Sequence, residues 1–316
     1  MSDIILEVRD VNKAFRNGDR TVTASDHVSF NIHAGEAFGL VGESGCGKST
    51  LAKLITHLHP IDSGELYLCG RDITRVKGRA LRETYRDIQM VFQDASASFD
   101  PRMKIGDSIL EVLNNFGYRE PEQRRRVIPM LLEYVGLKPD HANRLPHQLS
   151  GGECQRAAIA KAIAIHPKLL ICDEATSALD VSVQAQIVSM LKHMGSQMNM
   201  AFLFISHDLA LVSGFCDRVG VMYRGRMVES GSAAEIIRAP AHPYTRLLLS
   251  SVFPVQDYDR WQAPEQFHNE APDSGGCAFY RRCPRGAACR RREGRLEPIE
   301  VSPGHKTLCA PDLARS

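Results

Sequence analysis

Short apolar runs alternate with helical patterns through the first 250 residues. Ala37–Val41, Leu169–Cys172 and Ala201–Ile205 are almost continuously apolar, which is typical of strands buried on both faces of a parallel sheet. The stretch Val183–Met194, between the last two runs, has the helical period. A further helical face follows the first run, at Leu51, Leu54, Ile55 and Leu58. Strands that alternate with helices predict an α/β fold on a mainly parallel sheet.

Two regions depart from this alternation. The first 35 residues predict short strands separated by turns, among them Ile4–Val8 and Val28–Ile32. Residues 94–165 have a mainly helical pattern. Within this region, Pro129 lies inside the apolar segment Val127–Val135. Proline in a helical pattern predicts a kink in the helix or a shift of its first residue.

The last part of the core predicts a hairpin and then a helix. The hairpin strands are Arg218–Tyr223 and Met227–Glu229, on either side of a glycine turn. Ser232 and Glu235 then form the spacing of a capping box, which marks a helix N-terminus.

Composition narrows the class of protein. The 316 residues include 39 Lys and Arg against 37 Asp and Glu, a formal net charge of +2. This balance excludes a generic polybasic nucleic-acid binder, although it does not exclude local charged patches. The N-terminus lacks the basic and apolar segments of a signal peptide, and no uncharged apolar stretch reaches membrane-spanning length. We therefore expect a cytosolic protein with reduced thiols.

A glycine-rich loop connects the first apolar run to the helical face behind it. Gly42-Glu-Ser-Gly-Cys-Gly-Lys48-Ser49 satisfies the pattern G-x-x-x-x-G-K-[ST] in full. Its glycines let backbone N–H groups converge on phosphate oxygens at a helix N-terminus. Lys48 would bind the β- and γ-phosphates, and the Ser49 hydroxyl would bind Mg²⁺. A loop that merely turns the chain is the alternative, but the preceding strand and the following helix favour nucleotide binding.

A second apolar strand, Leu169–Cys172, ends in the carboxylates Asp173 and Glu174. Asp173 can hold the Mg²⁺ shell, and Glu174 can polarise a water in line with the γ-phosphate. An isolated pair of this kind is usually only solvated. Beside a complete phosphate loop it predicts a hydrolytic site.

Further motifs follow in a fixed order. Leu149-Ser-Gly-Gly-Glu-Cys-Gln-Arg156 resembles the signature motif of ABC ATPases. The matching elements are Phe15 for the adenine-stacking aromatic, Gln93 for the Q-loop, Ser177-Ala-Leu-Asp180 for the D-loop and His207 for the switch histidine. Over about residues 4–250 the chain is similar to this family.

The resemblance implies the fold class and the domain organisation. We expect a P-loop NTPase core of the ABC ATPase type, with an antiparallel β subdomain and a helical subdomain at about residues 94–165. The ATPase domain would span residues 1–253. Residues 254–316 would form a C-terminal extension with a small, loop-rich cysteine module.

The resemblance also implies Mg-ATP as the ligand and assigns the site residues. Glu174, His207 and Gln93 would be catalytic, and Ser49 with Gln93 would bind Mg²⁺. The nucleotide would contact Phe15, Gly42, Ser44, Gly45, Cys46, Gly47, Lys48, Ser49, Thr50 and Asp173, together with Ser150, Gly151, Gly152 and Asp180 around the signature and D-loop.

In this family, two ATPase subunits pack head-to-tail and each signature closes over the partner's nucleotide. We therefore expect a second ABC ATPase subunit as partner, with a different chain favoured over a second copy of this one. One cassette without a coiled-coil insertion favours a transport subunit over a soluble ABC ATPase acting on nucleic acid. Two transmembrane permease subunits would then be separate chains, and an extracytoplasmic substrate-binding protein would act indirectly. The subunit would lie peripherally on the cytoplasmic face of the inner membrane.

The C-terminal segments narrow the transport class. Ala241-His-Pro-Tyr-Thr-Arg246 and Gly276–Cys283 resemble the extension of oligopeptide and dipeptide importer ATPases. Nickel and metallophore importers are a close group and remain the alternative. We therefore predict a peptide-transporting ATPase, with no nucleic acid as partner.

Four of the nine cysteines fall in the last 40 residues: Cys277, Cys283, Cys289 and Cys309. In a reducing compartment such a group favours a metal over disulfides. The spacing does not fit zinc modules, whereas four thiolates also hold [4Fe–4S] clusters. The similar tails of peptide-importer ATPases are associated with such a cluster, so the resemblance predicts one here. Zinc and unliganded thiols remain alternatives.

Overall fold

The computed structural model describes residues 3–18, 20–118, 120–176, 179–250, 276–283 and 296–309. The strands in this part are β1 (Ile4–Asn17), β2 (Arg20–His33), β3 (Ala37–Val41), β4 (Ser63–Leu68), β5 (Arg71–Asp72), β6 (Ile88–Val91), β7 (Leu169–Asp173), β8 (Ala201–Ser206), β9 (Arg218–Tyr223), β10 (Arg226–Ser232), β11 (Ile299–Ser302) and β12 (His305–Thr307). The helices are α1 (Lys48–Ile55), α2 (Gly78–Asp87), α3 (Ile105–Asn115), α4 (Pro121–Tyr134), α5 (Gly151–Ile163), α6 (Val181–Met198), α7 (Leu209–Phe215), α8 (Ala233–Arg238) and α9 (Pro243–Ser250).

The larger sheet has the strand order β11-β12-β10-β9-β3-β8-β7-β6. Its central strands from β9 to β6 are parallel, and β10 pairs antiparallel with β9. The three apolar runs form β3, β7 and β8, and every residue of these strands is buried. Helices cover both faces of such a sheet, which explains the continuous apolar runs. The predicted α/β fold is confirmed, as is the hairpin.

The smaller sheet is antiparallel, in the order β2-β1-β4-β5. The short strands that the sequence predicts are here two strands of 14 residues each. Irregularities interrupt their pairing, for example between Val8 and Val11. Bulges of this kind break the alternation of inward and outward side chains, and the sequence therefore shows only fragments of each strand.

Helix α1 carries the predicted apolar face only in part. Leu51, Leu54 and Ile55 are fully buried, whereas Leu58 is 51% exposed. The helix ends at Ile55, and the backbone of His57 has a left-handed φ of 57°. A left-handed residue just beyond the last turn ends the helical period, so Leu58 no longer shares the buried face.

Helices α3, α4 and α5 lie between β6 and β7 and contribute to one core cluster. Helix α4 begins at Pro121, ahead of the predicted segment Val127–Val135, and continues through Pro129 to Tyr134. Proline suits the first turn of a helix because its missing N–H has no partner there. Pro121 thus moves the helix start earlier than the apolar pattern indicates.

The C-terminal extension contributes structure that the sequence pattern does not predict. Strands β11 and β12 form a hairpin that pairs with β10 and extends the larger sheet. His305 Nε2 lies 2.7 Å from Glu229 Oε1, and both side chains are buried. The hydrogen bond to Glu229 raises the pKa of His305, against the opposing effect of burial. The described end of the extension is therefore part of the core sheet rather than loop alone.

The segment Gly276–Cys283 also packs on the core. Its Phe279 is fully buried, with ring centroids 5.3 Å from Tyr223 and 5.4 Å from Tyr244. The preceding residues 254–275 of the expected C-terminal extension lie outside the described residues. In the described ranges, no helix is both long and apolar enough to cross a membrane.

Candidate nucleotide-binding site

Four parallel strands end at the same edge of the larger sheet. Val41 at the end of β3 pairs with Ser206 of β8, and Asp173 at the end of β7 pairs with Ile205. In an open α/β sheet, ligands bind outside these carboxyl ends. The phosphate loop, Gln93, Glu174 and His207 all follow such strand ends, so the topology places the predicted catalytic groups along one edge.

The phosphate loop leads into α1 through a helix start that has no side-chain cap. Gly47 is the N-cap, with φ 111°, and no side chain accepts a hydrogen bond from the first turn. A Cβ atom on Gly47 would lie 2.1 Å from the carbonyl oxygen of Ala24. At Gly45, whose φ is 79°, a Cβ atom would meet nothing within 4 Å. The loop is thus closed towards the protein at Gly47 and open at Gly45, where an anion can approach the backbone donors.

Lys48 is buried inside this loop. Its ammonium group donates hydrogen bonds to the carbonyl oxygens of Gly42, at 2.7 Å, and Glu43, at 3.0 Å. It also lies 3.7 Å from Cys46 Sγ, and burial raises the pKa of the Cys46 thiol. A phosphate that enters the loop would exchange carbonyl partners of the ammonium for charged oxygens, which form stronger hydrogen bonds.

Ser49 and Asp173 together provide oxygen atoms that suit Mg²⁺. The Ser49 hydroxyl donates to Asp173 Oδ1 at 2.8 Å. Burial raises the pKa of Asp173, and the hydrogen bond from Ser49 opposes this rise. Hydroxyl and carboxylate oxygens are ligands that Mg²⁺ prefers, so the donor set fits this ion.

Glu174 stands at the point where three predicted catalytic groups meet. Gln93 Nε2 donates to Glu174 Oε2 at 3.1 Å, and His207 Nδ1 lies 3.8 Å from the same oxygen. The Glu174 backbone is left-handed, with φ 48°, and its N–H donates to the carbonyl of Ile205. A strained backbone at a strand end is typical of functional sites. The Glu174 side chain is 16% exposed and His207 is 57% exposed, so the cluster opens to solvent.

The signature segment forms the N-terminus of α5. Ser150 is the N-cap, and its hydroxyl accepts from the N–H of Glu153 at 3.3 Å. Glu153 Oε2 accepts from the Ser150 N–H in return, at 2.9 Å, which completes a capping box. Ser150 and Gly151 are exposed. The signature thus presents an outward-facing helix N-terminus whose first turn is capped by its own side chains.

The remaining predicted contacts lie around these two helix starts. Gly152 packs towards α6, because a Cβ atom there would lie 3.0 Å from Val183 Cγ1. Asp180 caps α6 by accepting from the Val183 N–H, while Ser177 of the D-loop lies outside the described residues. Phe15 in β1 is half-buried, and its ring meets that of His59 edge-on at 5.5 Å.

Two residues that contact the phosphate loop were not predicted from the sequence. Tyr244 accepts a hydrogen bond on its hydroxyl from the Glu43 N–H, at 2.8 Å. Arg282 forms an ion pair with the Glu43 carboxylate. The segment His-Pro-Tyr, which includes Tyr244, was part of the family resemblance. The contacts with Glu43 join residues about 200 positions or more apart, so motif spacing could not predict them.

The described residues do not support the predicted metal centre. Among the six described ranges, no group of three or more His, Cys, Asp or Glu side chains converges as metal ligands. Cys277 Sγ instead lies 3.9 Å from His242 Nε2. Cys309 is 7% exposed, and its N–H donates to the Thr307 hydroxyl oxygen. The fourth predicted ligand, Cys289, lies outside the described residues.

Comparison with known proteins agrees with this geometry. A family model described as ABC transporter matches residues 25–177, and one described as the C-terminal region of oligopeptide/dipeptide transporters matches residues 228–289. The oligopeptide transport ATP-binding protein OppF of Salmonella typhimurium is 42% identical over 299 residues, 92% of this chain and 89% of that protein. OppF of Bacillus subtilis is 40% identical over 313 residues, 98% of this chain and 97% of that protein.

Solved structures of ATP-binding cassettes share the fold. The dimeric post-hydrolysis state of the cassette MJ0796 bound to ADP and Pi has a TM-score of 0.67 and 28% identity, over 72% of this chain and 99% of that chain. The structure of cbiO1 from Clostridium perfringens, part of the transporter complex cbiONQ, has a TM-score of 0.66 and 27% identity, over 80% and 96%. On the strength of these matches, the chain belongs to the ATP-binding subunits of ABC transporters, in their oligopeptide/dipeptide group.

Proposed function

We propose that this protein is the ATP-hydrolysing subunit of an ABC importer that takes up oligopeptides and dipeptides. The observation that carries the proposal is the hydrogen bond between Ser49 of the phosphate loop and Asp173, with Glu174 next to it at the edge of the sheet. The names of the OppF relatives and the C-terminal family match support peptides as the transported class.

The phosphate loop binds the triphosphate of ATP in this proposal. Lys48 and the backbone donors of the loop hold the phosphates, and Phe15 stacks on the adenine. The loop residues assigned to nucleotide binding are Gly42, Ser44, Gly45, Cys46, Gly47, Ser49 and Thr50. Ser49 and Gln93 would hold Mg²⁺, with Asp173 beside them, and the ion would neutralise charge on the β- and γ-phosphates.

Glu174 is the proposed general base. Its carboxylate lies within reach of both Gln93 and His207, so the three side chains can order one water beside the γ-phosphate. Glu174 would accept the proton of that water as the oxygen attacks phosphorus. His207 would hold the γ-phosphate and the attacking water in place.

The signature segment serves a partner's nucleotide. Ser150, Gly151, Gly152 and Asp180 lie at or near exposed helix starts, and the family arrangement is head-to-tail. We therefore propose a dimer with a second ABC ATPase subunit, a different chain, and two transmembrane permease subunits as separate chains. The subunit would lie peripherally at the membrane, with residues 1–253 as the ATPase domain and residues 254–316 as the extension.

Replacement of Glu174 by glutamine tests the proposal. Glu174→Gln keeps the side-chain shape but cannot accept a proton, so ATP turnover should fall by a factor of about 100 or more while ATP still binds. The assay is steady-state phosphate release together with peptide uptake by cells that carry the variant. Glu235→Gln, at the capping box of α8, is the matched control and should leave turnover unchanged. Wild-type turnover by Glu174→Gln would contradict the assignment of the base.

An iron–sulfur cluster on the four C-terminal cysteines stays a prediction of the sequence. Its support is the donor chemistry of four thiolates in one short extension. Purification without oxygen, followed by an iron assay and a visible absorption spectrum, tests it. Colourless protein without iron would contradict it.

A further inference from the structure

Glu43 places a carboxylate in the loop that receives a polyanion. It follows Gly42 directly, and its own carbonyl accepts hydrogen bonds from Lys48 Nζ, at 3.0 Å, and from the Cys46 N–H, at 3.2 Å. A negative charge at this position repels phosphate unless a positive group neutralises it.

Arg282 of the C-terminal extension supplies that positive group. Its two terminal nitrogens reach the two carboxylate oxygens of Glu43, at 3.0 Å and 2.9 Å. This is the paired arrangement in which arginine binds carboxylates most specifically. Burial alone would lower the pKa of Arg282, but its hydrogen bonds to Glu43 and Tyr223 outweigh this effect and raise it.

The guanidinium group is held in place by the packing of its own segment. Its central carbon lies 5.6 Å from the ring centroid of Phe279 and 5.8 Å from that of Tyr223. Phe279 is fully buried, and the Arg282 side chain is only 22% exposed. The Arg282 side chain therefore does not move freely as an exposed surface arginine would.

Each polar group of Glu43 has a partner that fixes the loop. The N–H donates to the Tyr244 hydroxyl, the carbonyl accepts from Lys48, and the carboxylate pairs with Arg282. A substitution of Arg282 can therefore affect Lys48 through Glu43 alone.

We propose that Arg282 is a positioning residue for nucleotide binding. It neutralises the Glu43 carboxylate and holds it in place, so that the C-terminal segment Gly276–Cys283 sets the affinity of the phosphate loop for ATP. The extension thus acts on the nucleotide site of its own chain.

Binding of fluorescently labelled Mg-ATP to the full-length subunit tests the proposal. Arg282→Gln leaves the Glu43 carboxylate uncompensated, so the Kd should rise roughly three- to tenfold, a range that allows for partial solvent screening. Adding Glu43→Gln to this variant removes the repelling charge and should restore the wild-type Kd. The neighbouring Arg281→Gln, whose Nε donates to the Tyr280 hydroxyl, is the control and should bind as the wild type does.

Two outcomes would overturn the proposal. One is an unchanged Kd for Arg282→Gln. The other is a double variant that binds as weakly as Arg282→Gln, since a merely structural anchor would not be rescued by removing the Glu43 charge. If Arg282→Gln proves too unstable in thermal unfolding, Arg282→Lys carries the test. It should bind ATP more weakly than wild type, and its combination with Glu43→Gln should match Glu43→Gln alone; any further weakening in that pair would also overturn the proposal.

Discussion

Two helix N-termini in the described part of the chain carry motifs for phosphate binding, and their first turns are capped differently. Helix α1 begins at Gly47, with no side-chain cap and no acidic residue in its first turn. Helix α5 begins at Ser150, with a complete capping box and Glu153 in its first turn. Both helices are long enough for the helix dipole to give their N-termini a partial positive charge.

The difference matches the roles proposed for the two termini. The first turn of α1 has donors that a phosphate can satisfy, within a loop already shaped by its own chain. In the first turn of α5, the capping box satisfies the N–H groups of Ser150 and Glu153, and Ser150 and Gly151 are exposed. This difference fits the proposed assignment, in which α1 binds the nucleotide of this chain and α5 engages the nucleotide of a partner subunit.

The largest expected effect is at the start of α1. Gly47→Ala should lower the free energy of unfolding by about 3 kcal/mol or more, because the added methyl meets the Ala24 carbonyl on a backbone of positive φ. At Gly45 the added methyl group meets no atom within 4 Å, so Gly45→Ala should lower the free energy of unfolding by only about 1 kcal/mol, from the positive φ. The methyl group should nevertheless weaken ATP binding.

Gly151→Ala, at the start of α5, meets only Leu179 at an ordinary contact distance and should change stability by less than about 0.5 kcal/mol. Urea unfolding of the three variants makes the comparison. Equal losses at Gly47 and Gly45 would contradict the described shape of the loop.

The next effect concerns the signature serine. Ser150→Ala should reduce ATP turnover of the assembled transporter by about tenfold to a hundredfold, because the proposed dimer would lose one donor to the partner's nucleotide. It should also cost about 1 kcal/mol of stability through the lost cap.

Ser232→Ala removes the same kind of cap from α8 and is the matched control. It should cost similar stability and leave turnover unchanged. Equal turnover losses in the two variants would show that capping alone, and not contact with nucleotide, explains the effect at Ser150.

The smallest effect is a pH dependence at the α5 cap. The backbone hydrogen bond from Ser150, followed by the Ser150 hydroxyl, lowers the pKa of Glu153. A carboxyl group with a lowered pKa in the folded state stabilises above its unfolded pKa, near 4.3, and this contribution disappears as the pH falls through the folded value.

Glu153→Gln should therefore cost about 0.5 kcal/mol at pH 7, a value reduced by the partial exposure of the side chain. The cost should vanish below its folded pKa. Chemical unfolding of wild type and variant at pH 7 and at acid pH measures the difference. A cost that is independent of pH would contradict the role of the charge.

Much of the core could be predicted from sequence because its signals are local. The buried strands β3, β7 and β8 are continuous apolar runs, and the phosphate loop is a contiguous motif whose glycines have defined backbone needs. The fixed topology of parallel strands then brings Gln93, Glu174 and His207 to one edge.

The parts that the sequence did not predict depend on partners distant in the chain. The hairpin of β11 and β12 is short and carries charged residues, and it is a strand pair only because β10 offers an open edge. The pair of Arg282 and Glu43 joins residues 239 positions apart. The capping box of Ser150 and Glu153, by contrast, is a local pair with the same spacing as Ser232 and Glu235, and only the structure assigns it.

The most direct test of the central claim is the ATP affinity of the isolated subunit carrying Lys48→Ala or Ser150→Ala. Lys48 contacts the loop of its own chain, so Lys48→Ala should raise the Kd for Mg-ATP by about a hundredfold. In the proposed dimer, Ser150 contacts the partner's nucleotide, so the isolated Ser150→Ala subunit should bind ATP as tightly as the wild type. Equal weakening by both substitutions would place the two helix N-termini on one nucleotide and contradict the account.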